Sequence, residues 1–322
     1  MQEIQKAYYQ LRIDQKNGGC LEVMIPDFAE IDALLIKSWL YGKALKTQQV
    51  YMKDVLRFYE QENRPILSID KPDVIQHFAL NLTHLKPSSR NRTIAAIKSV
   101  VTYAHITGAL KFNAGAVVKL EKQRNELAQR IMSERSVERI LAIELDARNY
   151  TILALLYYAG LRAHEVCNLK WRNLQERYDS GQLEIFGKGG KTRFILLDFD
   201  TWTEVQKLKE SDSAPDDYVF QSRQTNSRKG EKDRRLDEST IDDIVRRAAI
   251  NANVETYVDG KGNKRTRVSP HWFRHAHATY AQEHGASISL VQATLGHESI
   301  ETTAKYSHVR PSESSARFLR SR

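Results

Sequence analysis

The sequence predicts a mainly α-helical chain with a small β-sheet, built as two domains. Three observations predict it. Residues 28–120 carry apolar side chains at helical spacing and no strand-like run. Two short strand-like runs flank a glycine-rich connection further on, and a segment of charged and amide residues, 121–132, lies between the two regions. A chain of 322 residues is also long for a single core. The expected division is an N-terminal segment, 1–27, without an interpretable pattern, a helical domain over 28–120, a linker over 121–132 and a mixed α/β domain over 133–322.

In the first domain, Thr47–Gln61 places Tyr51, Val55, Phe58 and Tyr59 on one side of a helix, with Lys46, Lys53 and Arg57 elsewhere. Pro72 suits a first helical position and opens a helix to about Leu82. The clearest pattern runs from Ser88 to Thr107. There Ile94, Ile97, Val101 and Ala104 recur at three and four, while Arg90, Arg92 and Lys98 fall off the stripe.

In the second domain, Ser133 starts a helix with Val137, Ile140 and Leu141 inward. Asn149–Gly160 is nearly all apolar, too uniform to face water, and so predicts the centre of the second core. Arg162 follows it directly, where a guanidinium can emerge from the end of a buried helix, with Glu165 three residues on. Leu183–Phe186 and Arg193–Leu197 read as strands joined by Gly187-Lys188-Gly189-Gly190-Lys191-Thr192, a hairpin signal that puts Lys188 and Lys191 on the tip. The phosphate-loop spacing of nucleotide hydrolases is absent here, and a strand follows instead of a helix. A helix is expected from near Asp200 and a short strand at Tyr218–Phe220.

Two basic segments then interrupt the helical pattern. Ser222–Leu236 holds Arg228, Lys229, Arg234 and Arg235, and Val258–Val268 holds Lys264 and Arg265. Each suits either a solvated loop or a surface lying against phosphates, and Asp259-Gly260 suits the turn of a hairpin in the second. Between them Ser239 is the expected cap of a helix with Ile241, Ile244, Val245 and Ala248 inward.

Residues 269–311 gather the most chemistry. Ser269 and Pro270 read as a helix start, with the serine oxygen taking an orphan amide, and Gly285 as its stop. His271 and Arg274, three apart, share a face of that helix, beside His275. A second helix, Ser289–Leu295, ends at Gly296 and hands the chain to His297. Ser299 then caps a third that carries Tyr306, with His308 beyond.

A hydrophobic fraction of 41% and a mean hydropathy of -0.54 fit a soluble globular protein. The net charge of +9 suits a polyanionic partner. Cys20 and Cys167 lie far apart in no metal-ligand spacing, which suits a reducing cytosol, and no histidine pair has a zinc partner set. The longest apolar run, Thr151–Leu161, is too short to span a bilayer, and no signal peptide begins at Met1. No carboxylate cluster suits magnesium.

Arg162, Lys188, His271-x-x-Arg274, His297 and Tyr306, in this order, resemble the tyrosine recombinases, the phage-integrase family that includes the Xer resolvases. The similarity is dense from about Arg135 to Pro311. The resemblance implies a helical, SAM-like core-binding domain that clamps duplex DNA, followed by a mixed α/β catalytic domain. It implies metal- and ATP-independent strand exchange without cofactors, through a 3′-phosphotyrosyl link at Tyr306, by a homotetramer holding two duplexes. Accessory proteins that set direction and a cytoplasmic, nucleoid-associated setting in a prokaryote or phage belong to the same expectation.

The family's lysine lies on the hairpin, which favours Lys188 over Lys191. Glu165, His275 and His308 take supporting places. Lys53, Arg57, Arg90, Arg92, Lys98, Lys191, Arg228, Lys229, Arg234, Arg235, Lys264 and Arg265 are the candidate DNA contacts. A type IB topoisomerase or telomere resolvase shares the constellation, and a non-catalytic DNA-binding protein could share the fold.

Overall fold

The computed structural model describes residues 12–14, 20–22, 26–121, 131–187, 192–223 and 235–297. The chain divides into two compact units, Met1–Arg124 and Asn125–Arg322.

The first unit opens with a pattern the sequence did not reveal: β1 (Arg12–Asp14) pairs antiparallel with β2 (Cys20–Glu22). Four helices follow, α1 (Ala33–Leu40), α2 (Leu45–Glu62), α3 (Pro72–Asn81) and α4 (Pro87–Ile106). Pro72 and Pro87 occupy first-turn positions, where a missing N–H costs nothing. The expected stripes are buried: Val55, Phe58 and Tyr59 of α2 and Ile94, Ile97, Val101 and Ala104 of α4 share one core with Phe78 of α3. Tyr51 is only half-buried, and it stacks on Trp39 with ring centroids 5.1 Å apart. Asp32, fully buried, accepts hydrogen bonds from the Tyr59 hydroxyl (2.8 Å) and the Ile66 (2.5 Å) and Leu67 (3.0 Å) amides, fastening α2 to the chain before α3.

The second unit is built around α6 (Ala147–Tyr158), whose residues 151–157 are all buried. Against it pack α5 (Glu134–Ile143), α7 (Ala163–Asn168), α8 (Phe199–Gln206), α9 (Glu238–Asn251) and α10 (Pro270–Glu283), the last followed by α11 (Ile288–Leu295). Ser133 caps α5 as expected, accepting from the Ser136 amide, and Asp146 and Asp198 do the same for α6 and α8. Ile131 and Met132, the last residues of the expected linker, are buried in this core, where Tyr280 donates to the Met132 carbonyl (2.9 Å).

An antiparallel sheet, β3 (Leu174–Arg177), β4 (Ser180–Phe186) and β5 (Thr192–Leu196), covers α8. β3 escaped sequence reading because all its residues but Leu174 are exposed, so no alternation marks it. Gly181 admits Trp202 of α8, since a Cβ there would meet the indole at 2.4 Å. A second antiparallel pair, β6 (Thr256–Val258) and β7 (Lys264–Thr266), forms the hairpin suggested by Asp259-Gly260.

Several local expectations are corrected. Tyr218–Phe220 is no strand. Tyr218 makes one isolated bridge to Lys170, and Val219 and Phe220 are apolar because they fill the core. Asp237, not Ser239, is the N-cap residue of α9, and no side chain caps it. Ser269 stands at the N-cap of α10 with its hydroxyl unused for capping, and its backbone carbonyl takes the Trp272 amide (2.9 Å). α11 starts one residue earlier than expected, where Ser287 accepts from the Leu290 amide. The hairpin tip, most of the linker, the Arg228–Arg234 stretch and the helix expected after Ser299 lie outside the described residues. Among the described residues, no helix is long and apolar enough to cross a membrane.

Candidate active site

Arg274 is the hub that draws three segments together. It lies on α10, only 4% exposed, and its guanidinium donates to the Gly160 carbonyl (2.5 Å) and the Leu295 carbonyl (2.5 Å). Gly160 lies two residues before Arg162, and Leu295 two residues before His297, so one buried cation fixes where the Arg162 and His297 side chains begin. Gly160 is required twice over. Its φ of +60° is left-handed, and a Cβ would sit 2.6 Å from the Leu295 side chain and 3.0 Å from His277. His277 lies 2.7 Å from the Tyr157 carbonyl through Nδ1, which must therefore carry the proton.

Arg162 occupies the N-cap of α7, its side chain 28% exposed. Glu165 turns back to it, accepting from the Arg162 amide (2.8 Å) and from Nη1 (3.0 Å). A third arginine, Arg193 of β5, grips the same carboxylate with both terminal nitrogens (2.8 and 2.9 Å) and donates from Nε to the Thr294 carbonyl (2.8 Å). Burial alone would raise the Glu165 pKa, but the hydrogen bonds and charge of Arg193, then those of Arg162, bring it down to about 2. Sequence reading overlooked Arg193. Its signal was available, since strand alternation puts it on the same face as buried Ile195.

His271 opens to solvent on α10, and its ring stacks near that of His275, centroids 6.2 Å apart. Although its side chain reaches water, the protein packed around the ring lowers its pKa first, and the guanidiniums of Arg274 and Arg162 lower it further. His297 follows the left-handed cap Gly296. Burial, then Arg274, Arg162 and Arg193, push its pKa to about 4. Both imidazoles are thus neutral at pH 7, and a neutral imidazole carries one lone-pair nitrogen that accepts a proton and one N–H that donates. A cleft of about 310 Å³ opens beside His271, lined also by Arg162, His164, Glu238, Asp242 and Ser269.

Arg162, Glu165, His271, Arg274, His275 and His297 are therefore gathered in one place, while Lys188, Tyr306 and His308 lie outside the described residues. The candidate DNA contacts are placed variously. Lys53 and Lys264 are exposed. Arg92 (3.0 Å) and Arg57 (3.5 Å) lean on buried Asp54, Arg90 pairs with Glu121 (2.7 Å), and Lys98 reaches the Val118 carbonyl. Arg235 donates to Asn168 (2.8 Å) and Arg265 to Asp259 (3.0 Å). Lys191, Arg228, Lys229 and Arg234 lie outside the described residues. Among the described residues, no group of three or more His, Cys, Asp or Glu is placed to hold a metal ion.

A model of the phage integrase family matches residues 128–313. The chain belongs to the phage integrase family. This integrase is 27% identical over 263 residues to a tyrosine recombinase of Pseudothermotoga lettingae, across 81% of this chain and 80% of that one. It is 26% identical over 304 residues to tyrosine recombinase XerD of Vibrio cholerae, across 89% and 94%. A solved lambda integrase (75-356) dimer bound to a COC′ core site shares the fold, with a TM-score of 0.67 at 17% identity over 88% of this chain and 96% of that one. The integrase is accordingly a tyrosine recombinase, an enzyme of site-specific DNA recombination.

Proposed function

We propose that this integrase cleaves one strand of its target duplex by attack of the Tyr306 hydroxyl on a phosphodiester, and that a homotetramer on two duplexes exchanges the strands. The observation that carries this is the placement of Arg274 between the segments that present Arg162 and His297. A tyrosine hydroxyl, with an ordinary pKa near 10, is a poor nucleophile at neutral pH, so developing charge must be stabilised around it. Arg162 and Arg274 supply permanent positive charge for the non-bridging oxygens. Neutral His271 accepts the tyrosine proton, and neutral His297 donates to a phosphate oxygen. Lys188 protonates the departing 5′-oxygen. The 3′-phosphotyrosyl link keeps the phosphodiester energy, and a foreign 5′-hydroxyl reverses the step.

In this proposal the first unit, with Lys53, Arg57, Arg90, Arg92 and Lys98, grips one face of the duplex. Lys191, Arg228, Lys229, Arg234, Arg235, Lys264 and Arg265 add phosphate contacts from the second, and accessory proteins set direction.

A nicked substrate that loses its 5′-hydroxyl fragment traps the intermediate. Wild type should accumulate a covalent protein-DNA adduct, and Tyr306→Phe should bind the same DNA without forming it. An adduct with Tyr306→Phe would show that another residue is the nucleophile.

A further inference from the structure

We infer that Arg193 is a positioning residue that holds Glu165 so that Arg162 keeps its charge and donors for the scissile phosphate, a role that rests on the chemistry proposed above for Arg162.

Glu165 has a side chain 1% exposed, and it stands between two guanidiniums. Their shares are unequal. Arg193 takes both carboxylate oxygens with the fork of a bidentate pair, whereas the Arg162 side chain makes a single bond through Nη1 to Oε1. Arg193 is also the more deeply set, 12% exposed against 28% for Arg162. One carboxylate thus neutralises the inner arginine and leaves the surplus positive charge on the outer one, which lines the cleft. Without Arg193, the buried carboxylate would keep Arg162 as its one cationic partner. Arg162 would close on it bidentately and lose both charge and donors to it.

Arg193 is itself tightly located. Its Nε is spent on the Thr294 carbonyl in the last turn of α11, where a cation is favoured. Its side chain also lies flat on the backbone before His297, since a Cβ on Gly296 would stand 3.0 Å from the Arg193 Cδ. One side chain therefore joins the start of α7, the strand that follows the Lys188 segment and the end of α11.

The test compares single-turnover adduct formation by wild type, Arg193→Ala, Glu165→Gln and the double variant on the nicked substrate, with thermal unfolding recorded for each. Arg193→Ala should slow cleavage by about a hundredfold, the scale of a misplaced catalytic group, with DNA affinity much less affected. Adding Glu165→Gln should restore about tenfold of that loss, because a neutral amide no longer draws Arg162 away. A purely structural role predicts no such rescue. Arg193→Lys keeps the charge but loses the fork, so it should cleave at an intermediate rate. Should Arg193→Ala fail to fold, Arg193→Lys with and without Glu165→Gln gives the same comparison. An arginine variant that cleaves like wild type, or a folded double variant as slow as its parent, would overturn the role. A wild type that forms no adduct would overturn the proposed chemistry itself, and this role with it.

Discussion

At the scale of single residues, His297 shows how the neutral imidazole that the proposed chemistry uses appears as a cost in stability. Its pKa in the folded protein is about 4 because it is buried among the guanidiniums of Arg274, Arg162 and Arg193, with His275 adding to them. An unfolded histidine titrates near 6.5. Between those values the unfolded chain binds a proton that the folded protein refuses, so stability falls as the pH drops from about 6.5 to about 4 and levels below. The full effect is at most roughly 3 kcal/mol, reduced by the water that still screens a half-buried ring. His271 and His277 shift in the same direction, so the wild-type slope is their sum. Urea unfolding of His297→Asn at pH 7 and near pH 4.5 should show a smaller loss than wild type; an equal loss would mean that His297 is as hydrated as an exposed histidine. Glu165 behaves oppositely. Its depressed pKa contributes stability above its ordinary value of 4.5, which is lost only as the pH falls through about 2.

At the scale of elements, the helices were legible and their joints were not. α4 announces itself because four apolar residues recur on one face, and α6 because its sequence after Thr151 is nearly all apolar. The joint after α6 depends on Gly160, and a glycine in sequence does not say which neighbour it must admit. Gly160→Ala puts a Cβ into a left-handed backbone and against Leu295 and His277. The conformation costs about 1–2 kcal/mol and the crowding a further 1–3 kcal/mol, so denaturant unfolding should show a loss of about 2–5 kcal/mol. Cleavage should fall by more than the unfolded fraction accounts for, because the carbonyl that receives Arg274 moves with the joint. A variant as stable and active as wild type would mean that the joint relaxes freely. The run at Tyr218–Phe220 misled for a related reason. Burial selects the same apolar residues whether or not the backbone joins a ladder.

At the scale of the whole molecule, the net charge of +9 sets how the protein meets a polyanion. If the basic segment from Ser222 to Leu236 lies on phosphates, removing charge at Arg228, Lys229, Arg234 and Arg235 weakens binding to all sequences alike. Each lost contact should also flatten the dependence of log affinity on log salt by about one. Binding isotherms over a salt series give both quantities. Unchanged affinity and slope would make the segment a solvated loop.

By itself, the sequence determined the fold class, most helices and which residues on described backbone match the family pattern, Arg162, His271, Arg274 and His297. Helical periodicity and motif order are local properties, and they survive in a linear string. Only the tertiary structure decided which partners those residues have. Arg193 and Glu165 are 28 positions apart, and Arg274 reaches a carbonyl 114 positions away. No local pattern encodes a hydrogen bond to a backbone carbonyl, because every residue has one and the side chain's neighbour is chosen by packing alone.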